Sequence, residues 1–232
     1  MSIKIRRANE RGFANHGWLK SYHTFSFGDY HDPDYMGFRS LRVINEDSVA
    51  AAEGFGSHPH QDMEIITYVL KGSLAHKDSM GNQKNINAGD IQKMTAGSGV
   101  IHSEFNADSK NAVHFFQIWI LPNKRGLAPS YQQTTIQKSF QQGLLLILSD
   151  RTSSDALLIQ QDAQVFLGRF KAGEVHSYNI KPKRGIWFQM ITGRLRVDSL
   201  ELNDSDAIAV EHESVLSIQI LKDSEFLLFD LV

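Results

Sequence analysis

Short runs of β-branched and aromatic residues, each closed by a glycine-bearing turn, recur along most of this chain and leave little room for any fold class but all-β. Residues 65–70, Ile65-Ile66-Thr67-Tyr68-Val69-Leu70, show the pattern, which stops at Lys71-Gly72 as a strand entering a turn should. Residues 41–44, 73–77, 86–94 and 112–121 repeat it. Past Pro122 the composition turns polar, with Gly126 and Pro129, and reads as a linker over 123–133. The rhythm then resumes at 144–148, 165–170, 187–191, 195–197, 215–220 and 226–231. A chain of 232 residues is long enough for two modest cores. The expected organisation is therefore a β domain at 1–122, a linker at 123–133 and a second β domain at 134–232.

Within the first domain two short segments carry histidines: Gly56-Ser57-His58-Pro59-His60 and Ile101-His102-Ser103-Glu104. Successive side chains of a strand point to opposite faces, so His58 and His60 share one face and His102 and Glu104 share another. If the two segments lie side by side, three imidazoles and a carboxylate converge, which is a ligand set for a divalent transition metal. Glu64 has the parity of His58 and His60 and is the rival carboxylate. His16, His23 and His31 have no partner at ligand spacing and read as core or rim histidines. His76, beside Lys77 and Asp78, reads as a structural residue at a solvated strand end. Phe25 and Phe27 share a face and suit either a pocket wall or ordinary core. Gly97-Ser98-Gly99 is followed by no helical pattern, so a phosphate cradle is excluded.

Composition narrows the chemistry further. The chain contains no cysteine, which excludes disulfides, thiolate-bound zinc and iron–sulfur clusters and leaves histidine and carboxylate as ligands. Its formal net charge of −2 gives no electrostatic drive toward nucleic acid, and Arg6-Arg7 and the basic cluster at 181–184 read as solvated surface. No apolar run reaches the roughly 18 residues of a membrane span, and the first residues lack the apolar core of a secretory signal. A soluble cytoplasmic protein is expected.

Longer stretches carry a family likeness. Gly-led His-x-His with Glu64 before Gly72, and then Gly89 through His102 to Asn106, resemble the two motifs of the cupin superfamily, although Thr95 stands where many cupins carry proline. The run from His58 to Leu70, His76-Lys77-Asp78-Ser79-Met80-Gly81 and the run from Met94 to Glu104 are similar to the signature of the pirin family. So are residues 21–27 and 32–38. The likeness is strong over about residues 3 to 122 and weaker beyond, and is greatest to bacterial pirin-like proteins with quercetin 2,3-dioxygenase activity.

That resemblance implies a bicupin, two antiparallel β-barrels of jelly-roll type packed together, with the metal site in the first. Gly173-Glu174-Val175-His176 echoes the first motif with a single histidine, so one metal per chain is expected. The pirin pattern implies His58, His60, His102 and Glu104 as ligands, with Glu104 also the catalytic base. Fe(II) is the favoured ion, with Zn, Cu, Ni, Co or Mn as alternatives. Four protein ligands on an octahedral ion leave two positions open. The implied reaction is opening of a flavonol such as quercetin, or of another enediol or aromatic, by dioxygen with release of carbon monoxide. Pirins also act as transcriptional coregulators with a redox-sensing metal, so a regulatory protein with a protein partner is the competing reading.

Overall fold

The computed structural model describes residues 2–136, 140–151 and 156–232. Among them there is no α-helix; one 3-10 turn at Ala8–Glu10 is the exception to strand and loop. The chain forms two compact units: Gly12–Ile136 with Ile159–Gln161, and Met1–Arg11 with Gln137–Leu158 and Asp162–Val232.

The first strand, β1 (Ser2–Arg6), belongs to the C-terminal unit. The N-terminal unit contains β2 (Gly12–Asn15), β3 (Leu19–His23), β4 (Leu41–Val49), β5 (Gly54–His60), β6 (Glu64–Lys71), β7 (Ser73–Asp78), β8 (Gln83–Asn87), β9 (Asp90–Thr95), β10 (Val100–Asn106), β11 (Val113–Ile120) and β12 (Ser130–Thr135). These make a seven-stranded sheet, β12-β9-β6-β11-β4-β3-β2, and a four-stranded sheet, β5-β10-β7-β8. Pairing is antiparallel throughout, giving a two-sheet jelly roll rather than one closed cylinder.

Its interior divides into three layers, which β6 and β11 cross in full. Val69, Leu74, Val113 and Phe115 belong to one apolar cluster, and Ile65, Met94, Ala96 and Val100 to another. Each fully buried side chain of this size contributes roughly 1.5–3 kcal/mol. Between the clusters the same inward face turns polar. Gln92, Thr67, Gln117, Asn45 and His23 stand in register across β9, β6, β11, β4 and β3. From the facing sheet, His76 on β7 and His102 and Glu104 on β10 occupy the corresponding layer.

The C-terminal unit is one nine-stranded sheet. Besides β1 it holds β13 (Gly143–Ser149), β14 (Leu157–Leu158), β15 (Ala163–Phe170), β16 (Val175–Asn179), β17 (Gly185–Val197), β18 (Leu200–Leu202), β19 (Ala207–Glu211) and β20 (Val215–Leu231). All pairs are antiparallel except β13 with β14. Register shifts between Met190 and Leu195 let β17 follow β20 around a bend. The interior is apolar: Phe188 and Phe226 pack with ring centroids 4.3 Å apart, and Phe170 stacks on Phe226 at 5.8 Å. A Cβ on Gly168 would meet the Phe226 ring at 2.3 Å, so a glycine there lets the ring lie flat on the backbone.

Several expected boundaries and surfaces change. Residues 2–6 pair with β19, a partner some two hundred positions away that no local pattern signals. Residues 130–135, which overlap the end of the expected linker at 123–133, form the polar edge strand β12 against β9. The basic clusters are not simply solvated: Arg6 is buried, and Arg7 holds Asp206 at 2.8 Å. Arg184 bonds both Asp162 and Asp230.

Candidate metal centre

On β10, burial alternates without a break, with Val100, His102, Glu104 and Asn106 inward and Ile101 and Phe105 exposed. The histidines of β5, an edge strand that tolerates Pro59, lie beside it, His58 opposite His102 and His60 opposite Val100. The register slips between His102 and Glu104, which pairs with Phe55. At this slip Gly54 lies so close to β10 that a Cβ would meet the Glu104 carbonyl at 2.3 Å. On the other flank of β10, Asp78 is opposite His102 and His76 opposite Glu104.

The result is two overlapping groups that share His102. His58, His60 and His102 offer ring nitrogens within 4.8 Å of one another, and so do the donor atoms of His76, His102 and Glu104. Of the four residues expected from sequence, the three histidines form one group, while Glu104 groups with His102 and with His76, which was not expected as a ligand. The His58 Nδ1 lies 2.7 Å from the Gly56 carbonyl. A carbonyl only accepts, so this nitrogen carries the proton and Nε2 is left free as a ligand. Both ring nitrogens of His102 are buried without a hydrogen-bond partner among the described residues, a costly arrangement that a cation resolves. The donor set of imidazoles and carboxylate fits a divalent transition metal.

Electrostatics disfavour protonation of His60 and His102. Burial, reinforced by the neighbouring histidines, lowers the pKa of His60 to about 4 and of His102 to about 3. Glu104 is pushed up to about 7, chiefly by burial and then by Asp47. Its Oε2 accepts from Gln117 Nε2 at 3.0 Å, while Oε1 is 3.5 Å from the Thr67 hydroxyl. Thr67 also donates to Gln117 Oε1 at 2.9 Å, so the three side chains lock one another. Asp47, on β4, is likewise raised to about 7, chiefly by burial.

A cavity of about 450 Å³ reaches His58, His60 and Glu104. Phe27, Tyr30, Phe55 and Trp119 form its aromatic walls, and Ser21, His23, Asn45 and Asp47 a polar one. Trp119 meets His60 edge-on at 5.0 Å, and Phe27 meets Trp119 in the same way at 5.4 Å. The volume and the mixture of apolar wall with few polar groups are those of a small-molecule site.

The model of the Pirin family matches residues 4–120, and that of the Quercetinase C-terminal cupin domain matches residues 146–231. The chain belongs to the pirin family. A quercetin 2,3-dioxygenase of Escherichia coli (strain K12) is 45% identical to it over 229 residues, covering 99% of this chain and 98% of that protein. A pirin-like protein of Caulobacter vibrioides is 41% identical over 221 residues, 94% of this chain and 95% of the relative. Among solved structures, YhhW from Escherichia coli superposes with a TM-score of 0.97 at 44% identity, covering 100% of this chain and 98% of the other. The bacterial pirin YhhW in complex with nickel(II) gives 0.96 at 44% identity and 99% of each chain. This pirin is thus an all-β bicupin and sits with the quercetin 2,3-dioxygenase-like oxidoreductases.

Other residues of this pirin depart from expectation. Glu64 lies on the opposite face of the seven-stranded sheet from Thr67. Its Oε2 accepts from Thr95 Oγ1 at 3.1 Å and the Gln160 amide at 3.2 Å, and pairs with Lys93 Nζ at 3.3 Å. His76 is not at a solvated end: it is 1% exposed, and its Nε2 meets Asp78 at 3.1 Å. His23 is a core histidine bonded to Asn45 at 2.9 Å, yet with His16 it also lines the cavity; His31 is exposed. Of the two phenylalanines, Phe27 walls the cavity and Phe25 is core. Gly97, at φ +47, turns against the Leu127 backbone and leads into β10. In the C-terminal unit His176 lies against Phe170 at 5.1 Å, and among the described residues both possible metal groups are in the N-terminal unit.

Proposed function

We propose that this pirin is a metal-dependent dioxygenase that opens a flavonol such as quercetin, incorporating both atoms of dioxygen and releasing carbon monoxide. The observation that carries the reading is one juxtaposition: an aromatic-walled cavity of about 450 Å³ opens directly onto His58, His60 and Glu104. The name of the Escherichia coli relative supports the substrate class.

His58, His60 and His102 would hold one divalent ion through ring nitrogens, and Glu104 would complete the set. When bound, that ion, Fe(II) by preference, supplies Lewis acidity that lowers the pKa of a substrate hydroxyl and a centre compatible with dioxygen. Glu104, which lines the cavity, would take the proton of the flavonol 3-hydroxyl. Oε1 is the more weakly held oxygen, 3.5 Å from the Thr67 hydroxyl, whereas Gln117 donates to Oε2 at 3.0 Å. Trp119, Phe27 and Phe55 receive the flat rings and exclude water.

Oxygen uptake by Fe(II)-loaded protein tests the reading. Quercetin-dependent uptake absent from metal-free protein is expected. No uptake by fully loaded protein would overturn it in favour of a redox-sensing regulatory role.

A further inference from the structure

Asp47 enters the chemistry above only through its electrostatic effect on Glu104, yet it is built into the same cavity. It lies on β4, 4% exposed, among the lining residues. Across β3 it pairs with Ser21, and two residues along the same face stands Asn45, paired with His23 and Gln117. Ser21 donates to the carboxylate, but Oδ1 is buried and has no hydrogen-bond partner among the described residues. No lysine or arginine lines the cavity, whereas Asp29, Asp47 and Glu104 all do. A buried acceptor left without a donor is unfavourable, so the wall favours an occupant that brings a donor to this point. The same wall disfavours an occupant bearing a carboxylate of its own.

We propose that Asp47 is a specificity-determining residue that accepts a hydrogen bond from a ring hydroxyl of the substrate, distinct from the hydroxyl held at the metal. The cavity thereby selects uncharged, polyhydroxylated aromatics over aromatic acids and over analogues lacking that hydroxyl. A site that hydrogen-bonds a substrate hydroxyl discriminates strongly against its absence, because the protein group is then buried unpaired. The inference rests on the flavonol reading and adds to it which part of the ligand the protein itself reads.

The test is equilibrium binding to nickel-loaded protein under nitrogen, where dioxygen chemistry is silent. Quercetin is compared with 3-hydroxyflavone, which keeps only the chelating hydroxyl. Asp47→Ala should weaken quercetin binding about 10-fold or more, as loss of a buried hydrogen bond does when the remaining partner is left unsatisfied, and leave 3-hydroxyflavone unchanged. Asp47→Asn, which keeps shape and a weaker acceptor, should show a smaller loss confined to quercetin, and it carries the test alone if the alanine variant does not fold. Equal losses for both ligands, or none for either, would overturn the proposal while leaving the dioxygenase reading standing. If the parent protein binds neither flavonol, the dioxygenase reading fails and Asp47's role falls with it.

Discussion

Glu64 and Glu104 should respond to the same substitution in opposite ways. Glu64 and Lys93 form an ion pair whose side chains are 0% and 2% exposed. Burial pushes Glu64 up and Lys93 down, so each charge depends on the other. Glu64→Gln leaves the ammonium buried with only Thr95, 2.7 Å away, as a strong partner. Breaking a buried pair from one side costs about 3–5 kcal/mol, which for a chain of this size lowers Tm by roughly 6–20 °C. Metal binding should be untouched, because Glu64 points away from the histidines. Glu104→Gln removes a carboxylate that burial already penalises. The metal-free protein should therefore be no less stable, while metal affinity falls by more than the roughly 10–100-fold typical of losing an outer hydrogen bond to a ligand. Thermal unfolding of metal-free protein, with competitive titration against a chelating dye, measures both. If Glu64→Gln weakened metal binding as much as Glu104→Gln and left Tm alone, the assignment of the two carboxylates would be wrong.

Three further outcomes follow from the same geometry. Alanine at His58, His60 or His102 should abolish stoichiometric metal binding with the β-sheet circular dichroism unchanged, whereas His176→Ala should still bind one equivalent; full occupancy in two of the first three would contradict the ligand set. Gln117→Leu, which frees Glu104 and Thr67, should weaken metal binding about 10–100-fold, and an unchanged dissociation constant would show that Glu104 is not held in place by Gln117. For Asp47 the folded pKa of about 7 lies above the ordinary 3.8, so stability from its neutral form is complete below 3.8 and lost as pH rises to about 7. Asp47→Asn should therefore stabilise the metal-free protein increasingly across that window, by on the order of 4 kcal/mol at its upper end, and a pH-independent difference in unfolding free energy would refute this.

Strand alternation made the core of the site legible. His58 with His60, and His102 with Glu104, need only a period of two within one strand. The same rule misplaced Glu64, because residues 61–63 form a break with Asp62 at φ +50, and parity does not carry through a left-handed residue. His76 could have been found: Leu74, His76 and Asp78 alternate with the exposed Lys77, but the charged neighbours drew the reading toward solvent. Asn45 and Asp47 went unnoticed for a related reason, since a strand read from its apolar residues stops at Ile44, although Val43, Asn45, Asp47 and Val49 keep one inward face. The pairing of β1 with β19 and the polar edge strand β12 are set by distant partners, which local pattern does not encode.

The central claim is that this centre dioxygenates a flavonol, and isotope labelling with carbon monoxide detection addresses it most directly. Fe(II)-loaded protein given quercetin under labelled dioxygen should release one carbon monoxide per oxygen consumed and place both labelled atoms in the ring-opened product. Oxygen consumption without carbon monoxide, or a product whose new oxygen comes from water, would contradict it.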